Sequence, residues 1–260
     1  MRWAVVTGAS SGIGLEFARQ LAKKRFSVVM VSNQARELES CAEHLRAMYF
    51  VEAYALPLDL CAKESVDAIL AFLEEKGIVP EVLVNNAGIF DFKPVSELPE
   101  GRVDLYIDLH VRAVTALSVA VGRIMAQRRH GYILNMSSMS CWMPMPGIAM
   151  YSATKAYMRA FSRAFRIEMK DSGVSVTVAC PGGIATGLFG LSEKLSRFAV
   201  RIGVLVTPER FVKRALKKMF RRKAQYINGG LNRLSIVAVA SLPEWARIKV
   251  KRVAFDSKSV

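Results

Sequence analysis

Several things are scarce in this chain, and each shortage narrows the choice of protein class. The four cysteines, Cys41, Cys61, Cys141 and Cys180, lie far apart, without C-x-x-C spacing and with only three histidines in the whole sequence. Neither a disulfide framework nor a tetrahedral metal site is expected. No uninterrupted apolar run reaches the roughly 18 residues that a membrane-spanning helix needs. Met1 to Thr7 enter a strand-like segment directly, with no long apolar region and no small-residue cleavage site. The expectation is a cytoplasmic protein, soluble or at most peripheral to a membrane. Repeats, low-complexity tracts and Pro/Gly/Ser linkers are also lacking, so residues 1–260 read as one domain. Acidic residues are few: 22 Asp and Glu face 37 Lys and Arg, a net charge of +15. Residues 191–260 hold seventeen of the bases and four of the acids. A basic patch can attract nucleic acid, an anionic membrane or an acidic ligand, and a solvated helix face is the plainer alternative. No nucleic-acid recognition motif accompanies the charge, so no such partner is expected.

What is present is a rhythm. Apolar runs rich in Val, Ile and Leu alternate with segments of helical period, each switch marked by Gly, Asn, Asp or Pro. Strands are read at Trp3–Thr7, Ser27–Ser32, Val51–Leu56, Val82–Asn85, Tyr132–Met136 and Val174–Ala179. Right-handed crossovers place the intervening helices on both faces of a parallel sheet. The fold class is therefore α/β, a doubly wound parallel sheet of Rossmann type. Residues 187–260 break the rhythm and read as a basic substrate lid or C-terminal extension of the same domain. There Thr207-Pro208-Glu209 has the chemistry of a helix start, leading into a helix at Arg210–Lys223. An apolar segment from Leu234 to Leu242 and a basic run from Arg247 to Arg252 follow. This tail has three uses open to it: covering a pocket, packing on another subunit, or lying on a membrane.

After the first strand comes Thr7-Gly8-Ala9-Ser10-Ser11-Gly12-Ile13-Gly14, running into a helix at Leu15–Lys24. A dinucleotide pyrophosphate needs a tight turn, a closely approachable backbone and the positive end of a helix. Gly8, Gly12 and Gly14 can supply these, with Ser10 and Ser11 adding hydroxyl donors. Glycines alone are weak evidence, but this string occupies the first strand-to-helix junction.

The G-x-x-x-G-x-G spacing resembles the entry motif of the short-chain dehydrogenase/reductase family, and further matches follow in chain order. Asp59-Leu60 looks like the family's adenine-contacting pair, and Asn85-Asn86-Ala87-Gly88 like its motif after the fourth strand. Ser138, Tyr151 and Lys155 match the catalytic serine and the Y-x-x-x-K pair. Pro181-Gly182-Gly183-Ile184-Ala185-Thr186 resembles the segment whose members contact the nicotinamide. The resemblance runs from about Trp3 to Thr186 and implies a nicotinamide-dependent oxidoreductase, commonly a homo-oligomer, acting on a carbonyl or alcohol.

The residue chemistry agrees. Tyr151 and Lys155, four apart on a helix, share one face. An adjacent ammonium should stabilise the phenolate, whose parent phenol has a pKa of about 10. Tyr151 would then exchange a proton with the substrate oxygen while Ser138 hydrogen-bonds it. By resemblance, Lys155 also binds the nicotinamide ribose. One position departs from the pattern: many members carry Asn where this chain has His110, an Asn that helps hold a water linking the lysine to solvent. His110 is either a modified proton relay or a buried histidine satisfied by a backbone carbonyl.

At the end of the second strand, Val31-Ser32-Asn33-Gln34 contains no acid to bond a ribose 2′-hydroxyl and repel a 2′-phosphate. Arg36 stands nearby. NADP is thus preferred over NAD, with Asn33 a cofactor-binding candidate. The segment Met139 to Met150 is apolar and methionine-rich, suited to lining a pocket for a ketone, steroid-like or acyl substrate, or else to core packing. The competing reading is a non-catalytic dinucleotide-binding sensor or scaffold, against which the intact Ser138, Tyr151 and Lys155 stand.

Overall fold

A computed structural model describes residues 1–184 and 205–255. Seven parallel strands form one sheet in the order β3-β2-β1-β4-β5-β6-β7. They are β1 Arg2–Thr7, β2 Phe26–Ser32, β3 Ala53–Pro57, β4 Pro80–Asn85, β5 Gly131–Met136, β6 Val174–Ala179 and β7 Gln225–Tyr226. The chain winds outward from β1 to β3, returns, and winds the other way from β4, leaving a crevice beyond the carboxyl ends of β1 and β4. Helices α1 Gly12–Lys23, α2 Ala35–Tyr49, α3 Ser65–Glu75, α5 Val114–Gln127, α6 Ala149–Glu168 and α7 Pro208–Phe220 cover the two faces, and α4 Arg102–Ile107, α8 Gly230–Ala240 and α9 Glu244–Phe255 lie outside that layer.

Burial on both faces explains why the strands are apolar runs rather than alternating ones. On one face Val6, Val28, Met30 and Val84 pack against Phe17 and Leu21 of α1 and Phe211 and Leu216 of α7. On the other, Val5, Val29, Val31 and Ile133 meet Ile69, Leu117, Val121 and Phe165. Arg102–Gln127 is one helical run, joined by a π-helical turn at Asp108–Ala113, and its composition is long and apolar enough to cross a membrane. Its Leu117, Val121 and Met125 are instead buried in the core.

Several boundaries differ from the sequence reading, and one strand was missed. β3 begins at Ala53, not Val51, because Phe50 adopts a left-handed φ of 54° to close α2. α1 begins at Gly12, so the last glycines of the loop already belong to the helix. α7 stops at Phe220, and Arg222 turns left-handed beyond it (φ 53°). β7 was not foreseen: two residues give no alternation to read, yet the backbone bonds from Val178 N–H to Ala224 and from Cys180 N–H to Tyr226 add it to the sheet. Thr207 does cap α7, its hydroxyl accepting from Arg210 N–H at 3.3 Å. Thr186, and residues 187–204 of the segment expected to form a lid, lie outside the described residues.

Candidate active site

The loop between β1 and α1 is shaped by close approach. Gly8 has a φ of +63°, and a Cβ there would stand 2.9 Å from the Ala87 Cα. A Cβ on Gly14 would overlap the Gly8 carbonyl, so the first turn of α1 lies directly on the loop. The loop after β4 is clamped to it: Thr7 Oγ1 accepts from Asn86 N–H at 2.9 Å and Ala87 N–H at 3.1 Å, and the Asn86 amide donates to Thr7 O at 3.1 Å. Ser11 is exposed and makes no capping bond with its side chain, which leaves the N-terminal N–H groups of α1 facing the crevice. The Ser10 hydroxyl differs from expectation: it donates to Gln34 Oε1 at 2.6 Å and lies 2.9 Å from Ser32 Oγ, so it braces the wall at the end of β2.

A cavity of about 730 Å³ opens over these loops. Gly8, Ser10, Ser11, Gly12, Ile13, Asn33, Asp59, Leu60, Asn86, Ala87, Gly88, Pro181, Gly182 and Ile184 line it, together with Ser138, Tyr151 and Lys155. Gly14 does not; its part is the packing just described. The Met139 to Met150 segment does not line it either, which favours the packing alternative for that segment. Its 3₁₀ turn, Met139–Trp142, packs against α6 and α8, and the apolar lining comes instead from Ile89, Leu105, Leu109 and Met136.

Three elements bring the catalytic candidates together. Ser138 follows β5 and caps the 3₁₀ turn, accepting from Ser140 N–H at 3.2 Å. Tyr151 and Lys155 project from α6, with Lys155 Nζ 5.6 Å from the Tyr151 ring centre. Phe90 holds the Tyr151 ring edge-on at 5.0 Å. A buried polar chain fixes α6 to the sheet: Asn85 bonds Ser118 and Asn135, and Asn135 donates to Ser162 at 2.9 Å. This chain was not foreseen, although polar residues inside strands as apolar as β4 and β5 signal a required partner.

Burial dominates the electrostatics of the Tyr151 and Lys155 pair. Burial pushes the Tyr151 phenol above its ordinary value, and the hydrogen bond with Ser138 pulls it partly back. Burial also brings Lys155 down to about 8, and its amine donates to Met136 O at 3.0 Å. Desolvation penalises each charged form, and for the phenol it is the largest influence. The resulting neutral phenol is the form that can give a proton to a carbonyl oxygen.

His110 sits in the π-helical turn with 0% exposure. Its Nε2 accepts from Ile89 N–H at 3.0 Å, so Nδ1 bears the proton and donates to Thr154 Oγ1 at 3.0 Å. The Thr154 hydroxyl in turn donates a hydrogen bond to Met150 O or Tyr151 O. Burial, and then the charges of Lys155 and Arg102, hold the imidazole neutral, well below its ordinary pKa. With both nitrogens engaged, the ring has no free site for a proton in transit. His110 therefore ties the loop after β4 to α6 as a positioning residue, and its backbone partner is an N–H rather than a carbonyl.

Residues 2–195 match the model of the short chain dehydrogenase family. The chain belongs to that family. It is 32% identical to very-long-chain 3-oxoacyl-CoA reductase of Bos taurus, over 98% of this chain and 80% of the relative. Hydroxysteroid dehydrogenase-like protein 1 of Gallus gallus is 33% identical over 75% of this chain and 60% of its own length. A Homo sapiens relative at 33% identity, with the same coverage of 75% and 60%, is named inactive hydroxysteroid dehydrogenase-like protein 1. Among solved structures, a short-chain dehydrogenase from Sphingobium yanoikuyae in complex with NADPH superposes with a TM-score of 0.79 at 25% identity, covering 94% of this chain and 97% of that one. A structure concerned with 7β-hydroxysteroid dehydrogenase stereoselectivity gives 0.84 at 25% identity, covering 96% of both chains. As a short-chain dehydrogenase, the protein is an NAD(P)-dependent oxidoreductase that moves hydride between the dinucleotide and a carbonyl or alcohol.

The cavity of this short-chain dehydrogenase fits such a dinucleotide. The glycine loop and the start of α1, which has no acid in its first turn, suit a pyrophosphate. Asp59 accepts from Cys61 N–H at 2.9 Å, which fixes the turn beside Leu60 at the adenine end. At the end of β2, Ser32, Asn33 and Gln34 line the wall without a carboxylate. Pro181 and Gly182 are held at the other end, where Gly182 N–H donates to Asn228 Oδ1 at 2.7 Å. Arg102, another cavity residue that sequence reasoning missed, pairs with Asp91 at 2.7 Å and keeps that carboxyl below its usual range.

Proposed function

We propose that this short-chain dehydrogenase reduces an apolar carbonyl compound, a ketone or a 3-oxoacyl thioester, with NADPH, and that Tyr151 delivers the proton. One observation carries the reading: Ser138, Tyr151 and Lys155 line the same cavity as the glycine loop, Asn33, Asp59 and Gly182. The dinucleotide supplies hydride when bound; the rest of the chemistry belongs to this chain. Ser138 hydrogen-bonds the carbonyl oxygen and fixes its position beside the phenol. Tyr151, held neutral by burial, gives that oxygen its proton as it gains charge. Lys155 would hold the nicotinamide ribose, and His110 keeps the α6 end of the site in register with the loop after β4. Ile89, Leu105, Leu109 and Met136 offer an apolar wall, in keeping with the acyl and steroid substrates named for the relatives. NADPH oxidation against a chain-length series of 3-oxoacyl thioesters and a set of steroid ketones tests this. Saturable oxidation with long-chain or polycyclic members supports it; no oxidation across both sets overturns it.

The preference for NADPH rests on the missing acid at Ser32, Asn33 and Gln34, with Arg36 in the first turn of α2. Comparable kcat/KM for NADH would remove it.

We also infer that α8 and α9 rest on an anionic membrane surface. Leu234 (67% exposed), Val237 and Trp245 project from them unburied, alongside exposed Arg233, Lys249, Lys251 and Arg252. Apolar insertion and attraction to anionic headgroups act together in such helices. Sedimentation with phosphatidylserine vesicles but not phosphatidylcholine vesicles supports this contact, and equal pelleting with both contradicts its electrostatic part. A homo-oligomer, for which exposed Val103, Ile107 and Tyr157 offer an apolar face, is tested by the mass in solution.

A further inference from the structure

Two of the four cysteines, far apart in sequence, meet beside the active site. Cys141 lies in the 3₁₀ turn immediately after Ser138 and is partly exposed; Cys180 follows β6 and is buried. Backbone bonds from Ser137 N–H to Ala179 O and from Met139 N–H to Pro181 O, both 2.8 Å, hold the two segments edge to edge. The two cysteine side chains interact with each other and with the Ser137 side chain, whose hydroxyl donates to the Lys155 carbonyl at 2.7 Å. The pair is close enough to Tyr151 and Lys155 for Cys141 to influence the first and Cys180 the second.

We propose that Cys141 and Cys180 form a reversible disulfide that switches the active site off in response to a peroxide. The two thiols are unequal in the way such a reaction requires. Hydrogen bonds from Cys180 and Ser137, with the nearby Arg159 guanidinium, hold the Cys141 thiol below its ordinary pKa against the effect of burial. Cys180 is pushed up by the same bond and by burial. Cys41 and Cys61 are both raised by burial, Cys61 to about 11, which leaves Cys141 the thiolate-prone member of the set. The Cys141 thiolate attacks one peroxide oxygen: an S–O bond forms, the O–O bond breaks, and hydroxide leaves to take up a proton as water. Cys180 then attacks the sulfenyl sulfur; the S–S bond forms, the S–O bond breaks, and a second water departs with the Cys180 proton. Two thiols are oxidised and one hydrogen peroxide is reduced to two waters.

Closure draws the sulfurs together to a bond of about 2.05 Å. The 3₁₀ turn must move towards β6, and Ser138, which caps that turn, moves with it. A misplacement of about 1 Å at a positioning group costs on the order of 10²-fold in rate.

The test treats the full chain with hydrogen peroxide at pH 7.5 and reads both mass and NADPH oxidation. The proposal expects an intact mass lower by two hydrogens and a non-reduced peptide joining Cys141 to Cys180. It also expects a loss of activity of more than about tenfold, restored by dithiothreitol. Cys141→Ala should keep its basal activity and resist peroxide, whereas Cys180→Ser should accumulate a sulfenic acid at Cys141 that dimedone traps. Inactivation that persists in Cys141→Ala, a cross-link that leaves activity unchanged, or oxidation of Cys141 without a cross-link would each overturn it. The mass readout needs no substrate, so its failure is distinguishable from failure of the proposed reaction.

Discussion

His110→Asn places the family's more common side chain in the π-helical turn and separates a relay from a structural role. Wild-type His110 makes two buried hydrogen bonds, from Ile89 N–H and to Thr154 Oγ1, each 3.0 Å. The shorter asparagine cannot span both, and a buried group left without its partner costs about 1–3 kcal/mol. At pH 7.5 the variant should be less stable by about 2–4 kcal/mol, roughly 5–15 °C in Tm for a chain of this size. The pH dependence gives the sharper signature. The folded state holds the imidazole neutral, whereas the unfolded chain protonates it with a pKa of about 6.5. Below that pH the unfolded state binds the extra proton, so wild-type stability falls by about 1.4 kcal/mol per pH unit from this group alone. The asparagine variant lacks that loss. Urea unfolding of both proteins at fixed ionic strength should show the stability gap shrinking by about 2 kcal/mol between pH 6.5 and 5. A gap that stays constant would mean that His110 is not held neutral. A change in the shape of the pH–rate profile would restore the relay.

Further expectations follow from single contacts. Above about pH 8, Lys155 in the folded protein loses the proton that the unfolded chain keeps up to about 10.4. Dinucleotide-free protein should therefore gain stability as pH rises through that window, and Lys155→Met should flatten the rise in a denaturation series. Gly14→Ala drives a methyl group into the Gly8 carbonyl; it should cost about 1–3 kcal/mol of stability and weaken NADPH binding at least about tenfold, read by fluorescence titration. Asn33→Asp supplies the missing acid at the end of β2 and should shift the ratio of kcat/KM for NADPH over NADH by at least about tenfold towards NADH. An unchanged ratio would place the 2′-phosphate contact elsewhere.

The parts of this molecule readable from sequence are those whose physics is local. β1, β2, β5 and β6 declare themselves as branched apolar runs because both faces of the sheet are buried. The glycine loop declares itself because Gly8, Gly12 and Gly14 are needed where they stand. Tyr151 and Lys155 are visible as an i, i+4 pair. What stayed hidden depends on distant partners. The two residues of β7 acquire their meaning only from Val178 and Cys180, and Arg102 reaches the cavity through a pairing with Asp91. The lowered pKa of Lys155 comes from enclosure by β5 and α6, which spacing along a helix does not reveal. The methionine-rich segment after Ser138 has the composition of a pocket wall but is turned by its 3₁₀ helix towards α6 and α8. Composition reported its apolarity and was silent on its direction.

The central claim is that Tyr151 carries the proton while the glycine loop independently holds the dinucleotide. Its most direct test is single-turnover oxidation of bound NADPH by Tyr151→Phe and wild type, with a ketone that the wild type reduces and with NADPH affinity measured in parallel. The account predicts a rate lower by about 10²–10⁴-fold at nearly unchanged affinity. A variant that oxidises NADPH at the wild-type rate would contradict it.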